Sequence, residues 1–436
     1  MSGTFIQSMR NDRYVVFLAY ADYRYAIGGL ERCIRDTLEL LRGRGVSALG
    51  LIPFPTRRSQ RMNRYLSNYW GVVVDGVLCG FYDRAGVRGM MAALARAGKI
   101  PLETHIHNLR HFDLERVRCF LHEVPIPVKL FLHDYATICP KYSLLRNDER
   151  FCGRAPPSPE KCGGCASWTP GHHGRIRAVL ESVRGRLRVV APSPIARHIW
   201  LGTFPDFEDR VEVVPHLVPA GSRANDYRAK PPEARVRVAY VGAPYRHKGW
   251  EIFRQLSAAA AVARWPYEFY HFGLFRGSIP EIRNISVSIL RGGPEAMTQA
   301  LRRAEIDIVF LWALCPETYS YVLHECLLTN AMLVTNPDSG NIADTVAAQG
   351  VGRVFADWAE LEAYLHDVQQ VRRDVDFYRG KPVDLPCRFV PNDAILATLD
   401  WSVNPVLPAG PDAGRPNWLA GFLYGLKELK RRAGRS

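Results

Sequence analysis

Short β-rich apolar runs alternate with helix-like stretches along most of the 436-residue chain. In the first half these runs are YVVFLAY (14–20), VSALGLI (46–52), GVVVDG (71–76), LETHIHNL (102–109), VKLFLHD (128–134), LRVVAPS (187–193) and VEVVPHL (211–217). In the second half they are VRVAYVG (236–242), YEFYHFG (267–273), ISVSIL (285–290), IDIVFLW (306–312) and AMLVTN (331–336). Because parallel strands need crossover helices between them, the alternation predicts an α/β fold with mainly parallel sheets.

One polar passage rich in Pro and Gly, residues 218–235, interrupts the alternation in mid-chain. The chain is also longer than the roughly 250–300 residues at which a single core stops growing. We therefore predict two doubly wound domains facing a cleft, over residues 1–217 and 236–400, joined by a linker over 218–235. Residues 401–436 are predicted to be helical and to pack back on the N-terminal domain.

Basic residues outnumber acidic ones, 57 to 43, and leave a formal net charge of +14. They cluster at residues 56–65, at 174–188 and at the C-terminal end, and such clusters attract polyanions unless they are simply solvated helix faces. No zinc-finger spacing, RNA-recognition motif or helix-turn-helix pattern supports nucleic acid. Met62, Tyr65, Tyr69 and Trp70 interleave with the first cluster, which favours a membrane surface.

The sequence also bears on where the protein resides. It has no uninterrupted apolar run of the roughly 18 residues that a spanning helix needs, and no secretory signal at its start. We expect a cytoplasmic protein that lies at most on the inner face of a membrane.

Two features of the N-terminal half are candidates for ligand contacts. Gly28 and Gly29 open an amphipathic helix after the first strand, where a glycine turn lets the backbone approach an anion. A tight turn without a ligand is equally compatible, and the three-glycine dinucleotide fingerprint is absent. His133 ends the strand VKLFLHD and so faces the cleft, in either a structural or a hydrogen-bonding role.

The first turn of the C-terminal domain, VGAPYRHKGWEIF (241–253), carries a cation pair. Arg246 and Lys248 lie in the loop before a helix that starts near Gly249, so both could contact one diphosphate. A solvated loop is the alternative.

Two carboxylates flank the start of a helix in PETYSYVLHECLLTN (316–330). Glu317 and Glu325 could serve glycoside hydrolysis as an acid and a nucleophile or base, or they could bind the hydroxyls of a sugar and a ribose. The backbone amides of Tyr319, Ser320 and Tyr321 would then face an anion between them. The alternative is that both carboxylates lie on a helix surface.

The order of these features resembles the retaining glycosyltransferases of family 4, which have the GT-B fold of two Rossmann-like domains. The matching segments are GGLE (28–31), HD (133–134), VVAPSPIARH (189–198), VEVVPHLV (211–218), VGAPYRHKGW (241–250), ETYSYVLHE (317–325) and SGNIADTV (339–346). The resemblance implies transfer of a sugar from a nucleotide sugar to a glycan or lipid-linked acceptor, in bacterial surface polysaccharide synthesis. A non-catalytic binding protein of the same fold is the alternative.

The resemblance also implies roles for individual residues. Glu317 would contact the donor sugar, Glu325 the ribose and His133 a sugar hydroxyl near the reacting carbon. Lys248 and Arg246 would contact the diphosphate, with Gly29 lying beside the donor phosphates.

The sequence departs from the family at Ala243, where members commonly have Arg; Arg246 would then supply that charge. The only Asp-x-Asp pattern, Asp374 and Asp376, lies in a charged helical context. The resemblance therefore implies a reaction that needs no metal or other cofactor. The departing diphosphate takes the proton of the incoming hydroxyl, and the protein positions the groups and stabilises charge.

Four of the ten cysteines fall within a 27-residue stretch, at Cys139, Cys152, Cys162 and Cys165. The last two form a C-x-x-C on a glycine-rich turn, which is the geometry of a zinc knuckle. Disulfides are disfavoured in a reducing cytoplasm. We predict a structural zinc; buried thiols beside one tight turn are the alternative.

Overall fold

The computed structural model describes residues 4–25, 28–54, 65–153, 156–275, 277–288, 292–402, 405, 407 and 414–433. The strands are β1 (Arg13–Leu18), β2 (Val46–Pro53), β3 (Trp70–Val74), β4 (Val77–Tyr82), β5 (Ile100–Ile106), β6 (Val128–Phe131), β7 (Leu145–Arg146), β8 (Arg150–Phe151), β9 (Leu187–Ala191), β10 (Val211–Val213), β11 (Leu217–Arg223), β12 (Val236–Val241), β13 (Tyr267–Phe272), β14 (Ile282–Ile285), β15 (Ile308–Phe310), β16 (Met332–Thr335), β17 (Gly352–Val354) and β18 (Leu385–Pro391). The helices are α1 (Thr4–Ser8), α2 (Gly29–Gly43), α3 (Arg84–Arg96), α4 (Leu114–Glu123), α5 (Pro159–Cys162), α6 (His172–Ser182), α7 (Pro194–Thr203), α8 (Trp250–Val262), α9 (Ala296–Arg303), α10 (Tyr321–Leu327), α11 (Asn341–Gln349), α12 (Trp358–His366), α13 (Val368–Arg379) and α14 (Trp418–Ala433).

The N-terminal sheet has eight strands in the order β10-β9-β6-β5-β1-β2-β3-β4. All neighbours pair in parallel except at one edge, where β2, β3 and β4 are antiparallel. The central strand β1 is buried on both faces: Tyr14, Val16 and Leu18 pack on one side, and Val15 and Phe17 on the other. A strand that is apolar on both faces needs helices on both sides of the sheet.

The C-terminal sheet has six strands in the order β14-β13-β12-β15-β16-β17, all parallel. Val238 and Tyr240 of β12 pack into one core cluster, and Ala239 and Val241 into the cluster on the opposite face. The two sheets confirm the predicted α/β class, with two doubly wound Rossmann-like units facing a cleft, as in the GT-B fold.

The segments that join the two units include a pair of strands. The first residues of the passage 218–235 belong to β11, which pairs antiparallel with β18 in a two-stranded sheet of their own. After β18 the chain returns to the N-terminal unit, where Ile395, Leu396 and Leu399 enter its core. The fully buried Lys129 donates to the carbonyl of Ile395 at 2.9 Å. The core of the C-terminal unit therefore ends before residue 400.

Two sequence expectations are corrected at the ends of strands. The run ISVSIL (285–290) was expected to form a strand, but β14 covers Ile282–Ile285 and residues 286–288 are not part of it. Trp70 was expected at a membrane surface, yet it begins β3 and is only 1% exposed. Its ring packs against Phe112 and Phe120, with ring centroids 5.8 and 5.6 Å away. Met62 and most of the first basic cluster lie outside the described residues.

Several cations of the second basic cluster have partners within the protein. Arg177 and Arg184 contact the carboxylate of Asp206 at 2.9 and 3.1 Å. Arg186 donates to the backbone carbonyls of Val124 and Ile126. These cations are therefore occupied by internal partners. None of the helices in the described part of the chain combines the length and apolarity needed to cross a bilayer.

Candidate functional site

The two units meet at a cavity of about 360 Å³, which we call the cleft cavity. Its walls include eight of the residues expected from the sequence: Gly28, Gly29, His133, Lys248, Glu317, Tyr319, Ser320 and Tyr321. They also include Tyr20, Glu31, Arg110, Asp134 and Tyr142 from the N-terminal unit. A smaller cavity of about 140 Å³ shares Lys248 and Glu317 and extends toward Gly242 and Ala243. The carboxyl ends of parallel strands thus supply both walls, as is typical of ligand sites in such folds.

A glycine positions Lys248 at the cleft cavity. Lys248 ends a short 3-10 turn, and Gly249 follows it with a φ of 83°. A Cβ on Gly249 would collide with the carbonyl oxygen of Trp312, so only glycine lets the turn pack against the chain that follows β15. The turn is also held by a bond of 2.9 Å from the amide of Leu314 to the carbonyl of His247.

A second glycine positions Glu317. Gly340 has a φ of 62°, and a Cβ there would lie 2.7 Å from the amide nitrogen of Glu317. The backbone of Glu317 is bonded on both sides of this glycine, to the carbonyl of Ser339 at 3.3 Å and from the amide of Asn341 at 2.9 Å. The loop after β15 and the start of α11 therefore fix the backbone that carries this carboxylate.

Lys248 and Glu317 form a direct ion pair in the wall of the cleft cavity. The Lys248 side chain is 40% exposed and that of Glu317 is 12% exposed. Burial alone would lower the pKa of Lys248, but the carboxylate of Glu317 beside it raises the pKa above its ordinary value. Because the pair borders open space, its ammonium can contact a phosphate and its carboxylate can accept hydroxyl hydrogen bonds.

Thr318, the residue after Glu317, ties this loop to the N-terminal unit. Its hydroxyl donates to the carbonyl of His133 at 2.6 Å, and its own carbonyl accepts from the hydroxyl of Ser193 at 2.7 Å. The position of Glu317 thus depends on both units.

Glu325 lies behind the cleft cavity, outside its described walls. Its carboxylate is 2.7 Å from the guanidinium of Arg32, which comes from α2 of the other unit and lies 4.5 Å from the ring centroid of Tyr321. Burial raises the pKa of Glu325, and Arg32 partly offsets this. The carboxylate expected to bind a ribose is therefore engaged by a cation of the opposite unit.

Arg246 also differs from expectation. It is exposed and does not belong to the described walls of either cavity. Residues two apart in a 3-10 turn point in different directions, because such a turn has about three residues. Lys248 consequently faces Glu317 while Arg246 faces solvent.

His133 is held in a buried group of rings. It shares a hydrogen bond of 2.8 Å with His107, and its ring stacks on Phe131 with an interplanar angle of 9°. Burial lowers the pKa of His133 to about 3, so the ring is neutral at pH 7. A neutral imidazole can exchange hydrogen bonds with a sugar hydroxyl without adding charge to the site.

The N-terminal wall contains two carboxylates to which the sequence analysis assigns no role. Glu31 is 3% exposed, and its Oε1 atom has no hydrogen-bond partner. Burial raises the pKa of Asp134 to about 6, although the side chain of Asn108 and the amide of Ala136 each donate to it at 2.9 Å. Both residues belong to motifs already noted, GGLE and HD, which is the signal that could have identified them.

Arg110 belongs to the same wall, and its charge partly offsets the effect of burial on the pKa of Asp134. Its guanidinium lies 4.3 Å from the ring centroid of Tyr142 and 5.2 Å from that of Tyr20. The N-terminal wall thus offers one cation, two carboxylates and aromatic faces.

The four clustered cysteines line a separate cavity of about 400 Å³, together with His172 and His173. The thiol of Cys152 donates to the carbonyl of Leu144 at 2.9 Å, and burial raises the pKa of Cys139 to about 11. No three of the four sulfurs lie within 4.8 Å of one another among the described residues. The cavity gathers the right donor atoms without forming a coordination shell, so the structural zinc stays a prediction. Metal analysis of protein purified without chelator tests it, and a lack of stoichiometric zinc would remove it.

Across the described part of the chain, one group of three His, Cys, Asp or Glu brings its ligand atoms within 4.8 Å of one another, namely Cys33, His133 and His216. Burial raises the pKa of Cys33 to about 12 and lowers that of His216 well below its ordinary value. All three are uncharged at neutral pH, and His133 is the one that also lines the cleft cavity.

Asp374 and Asp376 are occupied away from the cleft. Asp374 accepts from Arg353 at 2.7 Å and from Tyr364 at 3.0 Å, and Asp376 accepts from the hydroxyl of Tyr227 at 2.6 Å. Both lie on α13, so these carboxylates serve packing around that helix.

No family model matches the chain, and no curated protein sequence matches it. Solved structures with a similar course of the chain include HepE of Anabaena in complex with UDP-glucose, at 14% identity, covering 85% of this chain and 95% of that one with a TM-score of 0.46. Sucrose-phosphate synthase from Thermosynechococcus elongatus is 12% identical, covers 97% and 100% of the two chains, and has a TM-score of 0.49. A glycosyltransferase from Rickettsia africae is 12% identical over 85% and 93%, also with a TM-score of 0.49. Because these TM-scores are below 0.5, we transfer no residue role from them.

Proposed function

We propose that the protein is a retaining glycosyltransferase, which moves a sugar from a nucleotide-sugar donor to a hydroxyl of a glycan or lipid-linked acceptor. Its role would be in bacterial surface polysaccharide synthesis. One observation carries the proposal: the Lys248–Glu317 pair, the Gly28–Gly29 turn and the neutral His133 meet in one cavity between two doubly wound units. A cation and a diol-binding carboxylate, side by side at the ends of parallel strands, suit a sugar diphosphate.

The donor would lie against the C-terminal wall. Lys248 would leave Glu317 to contact the diphosphate, and Glu317 would accept hydrogen bonds from hydroxyls of the sugar. The smaller cavity next to both residues gives the nucleotide further space. Glu325 would reach the ribose only if Arg32 moved away, because the two side chains are paired.

The acceptor would lie against the N-terminal wall. The unpaired Oε1 of Glu31 is a buried acceptor in that wall, and a donated hydrogen bond from an acceptor hydroxyl would satisfy it. The guanidinium of Arg110 lies over the rings of Tyr20 and Tyr142. Arg110 would contact an anionic part of the acceptor, and the two rings would face it.

The chemical step then needs no protein nucleophile. The bond between the anomeric carbon and the diphosphate oxygen breaks, and the acceptor oxygen bonds to that carbon on the same face. The acceptor's proton goes to the departing phosphate oxygen. Lys248 would stabilise the negative charge that develops on the diphosphate, which is the kind of preorganised electrostatic contact that contributes most to catalysis.

The test is transfer or donor hydrolysis, measured by mass spectrometry across a panel of UDP-, GDP- and dTDP-sugars. Glu317→Ala and Glu325→Ala are run beside the unaltered protein. If no donor is turned over by folded protein, or if both variants keep full activity, the catalytic proposal is wrong.

One observation favours the alternative, a binding protein of the same fold. Ala243 provides no cation near the smaller cavity, and the exposed Arg246 does not replace one there. A donor that binds to the folded protein without any turnover would establish that alternative.

A further inference from the structure

The C-terminal helix α14 has apolar side chains on two faces. On one face Ala420 and Tyr424 are buried, and they pack with Phe54 and Phe81 of the N-terminal unit. On another face Trp418, Phe422 and Leu426 are 78%, 59% and 40% exposed. We call these three residues the α14 stripe.

The α14 stripe is continuous. Its residues are spaced four apart, so they form one row along the helix within an arc of about 80°. Single exposed apolar side chains are common on soluble proteins, but a row that includes a Trp and a Phe marks an interaction surface.

The helix that carries the stripe is firmly attached. The hydroxyl of Tyr424 donates to the carboxylate of Asp22, and the side chain of Asn417 donates to the hydroxyl of Tyr65 at 2.9 Å. Asn417 also accepts from the amide of Ala420 at 2.9 Å and so caps the first turn. The stripe is therefore displayed by an ordered helix.

The charge of the helix favours one kind of partner, an anionic surface. In sequence, the last two turns of α14 contain Lys427, Lys430, Arg431 and Arg432 against a single acid, Glu428. The complete chain carries +14. An aromatic row followed by basic residues suits a bilayer surface with anionic headgroups, where Trp lies at the headgroup level and Lys and Arg attract the lipid phosphates.

We propose that the α14 stripe inserts into the surface of an anionic membrane and holds the protein there. This replaces the sequence expectation based on residues 56–70, in which Trp70 is buried. It goes beyond the proposed chemistry, since binding to a lipid surface needs no donor and no transfer.

One loop of the N-terminal unit connects helix α14 to the cleft cavity. Asp22, which bonds to α14, lies two residues after Tyr20, which lines the cleft cavity. The same loop therefore contacts both the helix and the cavity. Given the proposed function, membrane binding through α14 would bring the N-terminal wall of the cleft close to an acceptor attached to lipid.

The test is co-sedimentation of the full chain with vesicles of phosphatidylglycerol and phosphatidylcholine in equal parts, and with vesicles of phosphatidylcholine alone. The unaltered protein should bind the anionic vesicles, more weakly as salt rises. Trp418→Ser/Phe422→Ser should bind about 100-fold more weakly, since each lost aromatic insertion costs about tenfold. Phe377→Ser is the matched control, because Phe377 is 63% exposed on α13 of the other unit.

Three further measurements decide the outcome. Both altered side chains are exposed, so the double variant should keep the thermal unfolding midpoint and the donor hydrolysis of the parent. No hydrolysis by the parent would count against the proposed function, not against the membrane surface. Equal binding of variant and parent, or no vesicle binding by the parent, overturns the proposal. A parent that is dimeric where the variant is monomeric also overturns it, because the stripe is then a subunit interface.

Discussion

Two ion pairs near the cleft each join a basic side chain to a glutamate, but they differ in exposure and in the units they connect. Lys248 and Glu317 belong to one unit and border the cleft cavity, with the lysine 40% exposed. Arg32 and Glu325 belong to different units and lie behind the cavity wall, at 20% and 6% exposure. We call them the cavity pair and the cross-unit pair.

The difference teaches what burial does to a charge pair. The cavity pair can exchange its partners for those of a ligand, because water and ligand atoms have access to it. The cross-unit pair cannot lose one member without leaving the other charge buried, which is strongly unfavourable. The two glutamates are separated by seven residues in sequence, yet one is poised for binding and the other for holding the units together.

The largest expected effect is on activity when the cavity pair is broken. Lys248→Met and Glu317→Gln should each lower the turnover of a donor identified in the panel by about 10²–10³-fold, the usual effect of removing one preorganised electrostatic contact. Turnover measured by mass spectrometry, with circular dichroism to verify folding, checks this. Either variant retaining more than about a tenth of the activity would contradict the role we assign to the pair.

The next effect is on stability when the cross-unit pair is broken. Arg32→Met leaves the buried Glu325 without its cation and should lower the free energy of unfolding by about 3 kcal/mol. Urea unfolding measures it. Arg32→Met/Glu325→Gln removes the stranded charge as well and should recover most of the loss. A double variant as unstable as the single one would show that packing of Arg32 on Tyr321 matters more than charge.

The dependence of stability on pH tests two buried histidines, His324 and His133. Burial lowers the pKa of His324 to about 4 and that of His133 to about 3, whereas both are near 6.5 in the unfolded chain. The unfolded state therefore binds more protons below pH 6.5. Each histidine contributes stability that is fully present above that pH and is lost at about 1.4 kcal/mol per pH unit as pH falls toward the folded value.

Asp134 acts in the opposite direction, because its pKa of about 6 exceeds the ordinary 3.8 and its protonation favours the folded state below pH 6. Burial also lowers the pKa of further histidines and raises that of two further carboxylates, and the histidines outnumber the carboxylates: His105, His107, His133, His172, His173, His216, His247 and His324 against Asp36, Asp134 and Glu325. The thermal unfolding midpoint should therefore fall between pH 7 and pH 5. His324→Gln should flatten that fall. An unchanged slope in the variant would mean that His324 does not titrate with unfolding.

The smallest expected effect is at the other cation of the 3-10 turn. Arg246→Ala should change donor turnover by less than about threefold, as is usual for an exposed charge. Comparison of Arg246→Ala with Lys248→Met tests whether the direction in which each side chain of the 3-10 turn points decides its effect on donor turnover. A loss as large as that of Lys248→Met would restore Arg246 to the donor site.

Much of this architecture could be read from the sequence because its signals are local. The run VRVAYVG became β12, and the HD that ends VKLFLHD reached the cleft, since strand periodicity and strand ends are written in consecutive residues. Arg32 could not be paired with Glu325 from sequence, because 293 residues separate them. Lys248 could not be separated from Arg246 either, since the choice depends on how Gly249 packs against Trp312.

The two hydrogen bonds of Thr318 have a consequence for how a donor would be protected. Because they join the loop of Glu317 to His133 and Ser193 of the opposite unit, separating the units would pull on the residue next to that carboxylate. A nucleotide sugar bound while the units are apart would lack its full set of sugar contacts. Water entering the open cleft would then meet a poorly oriented donor, so the tether would limit wasteful hydrolysis until the units close.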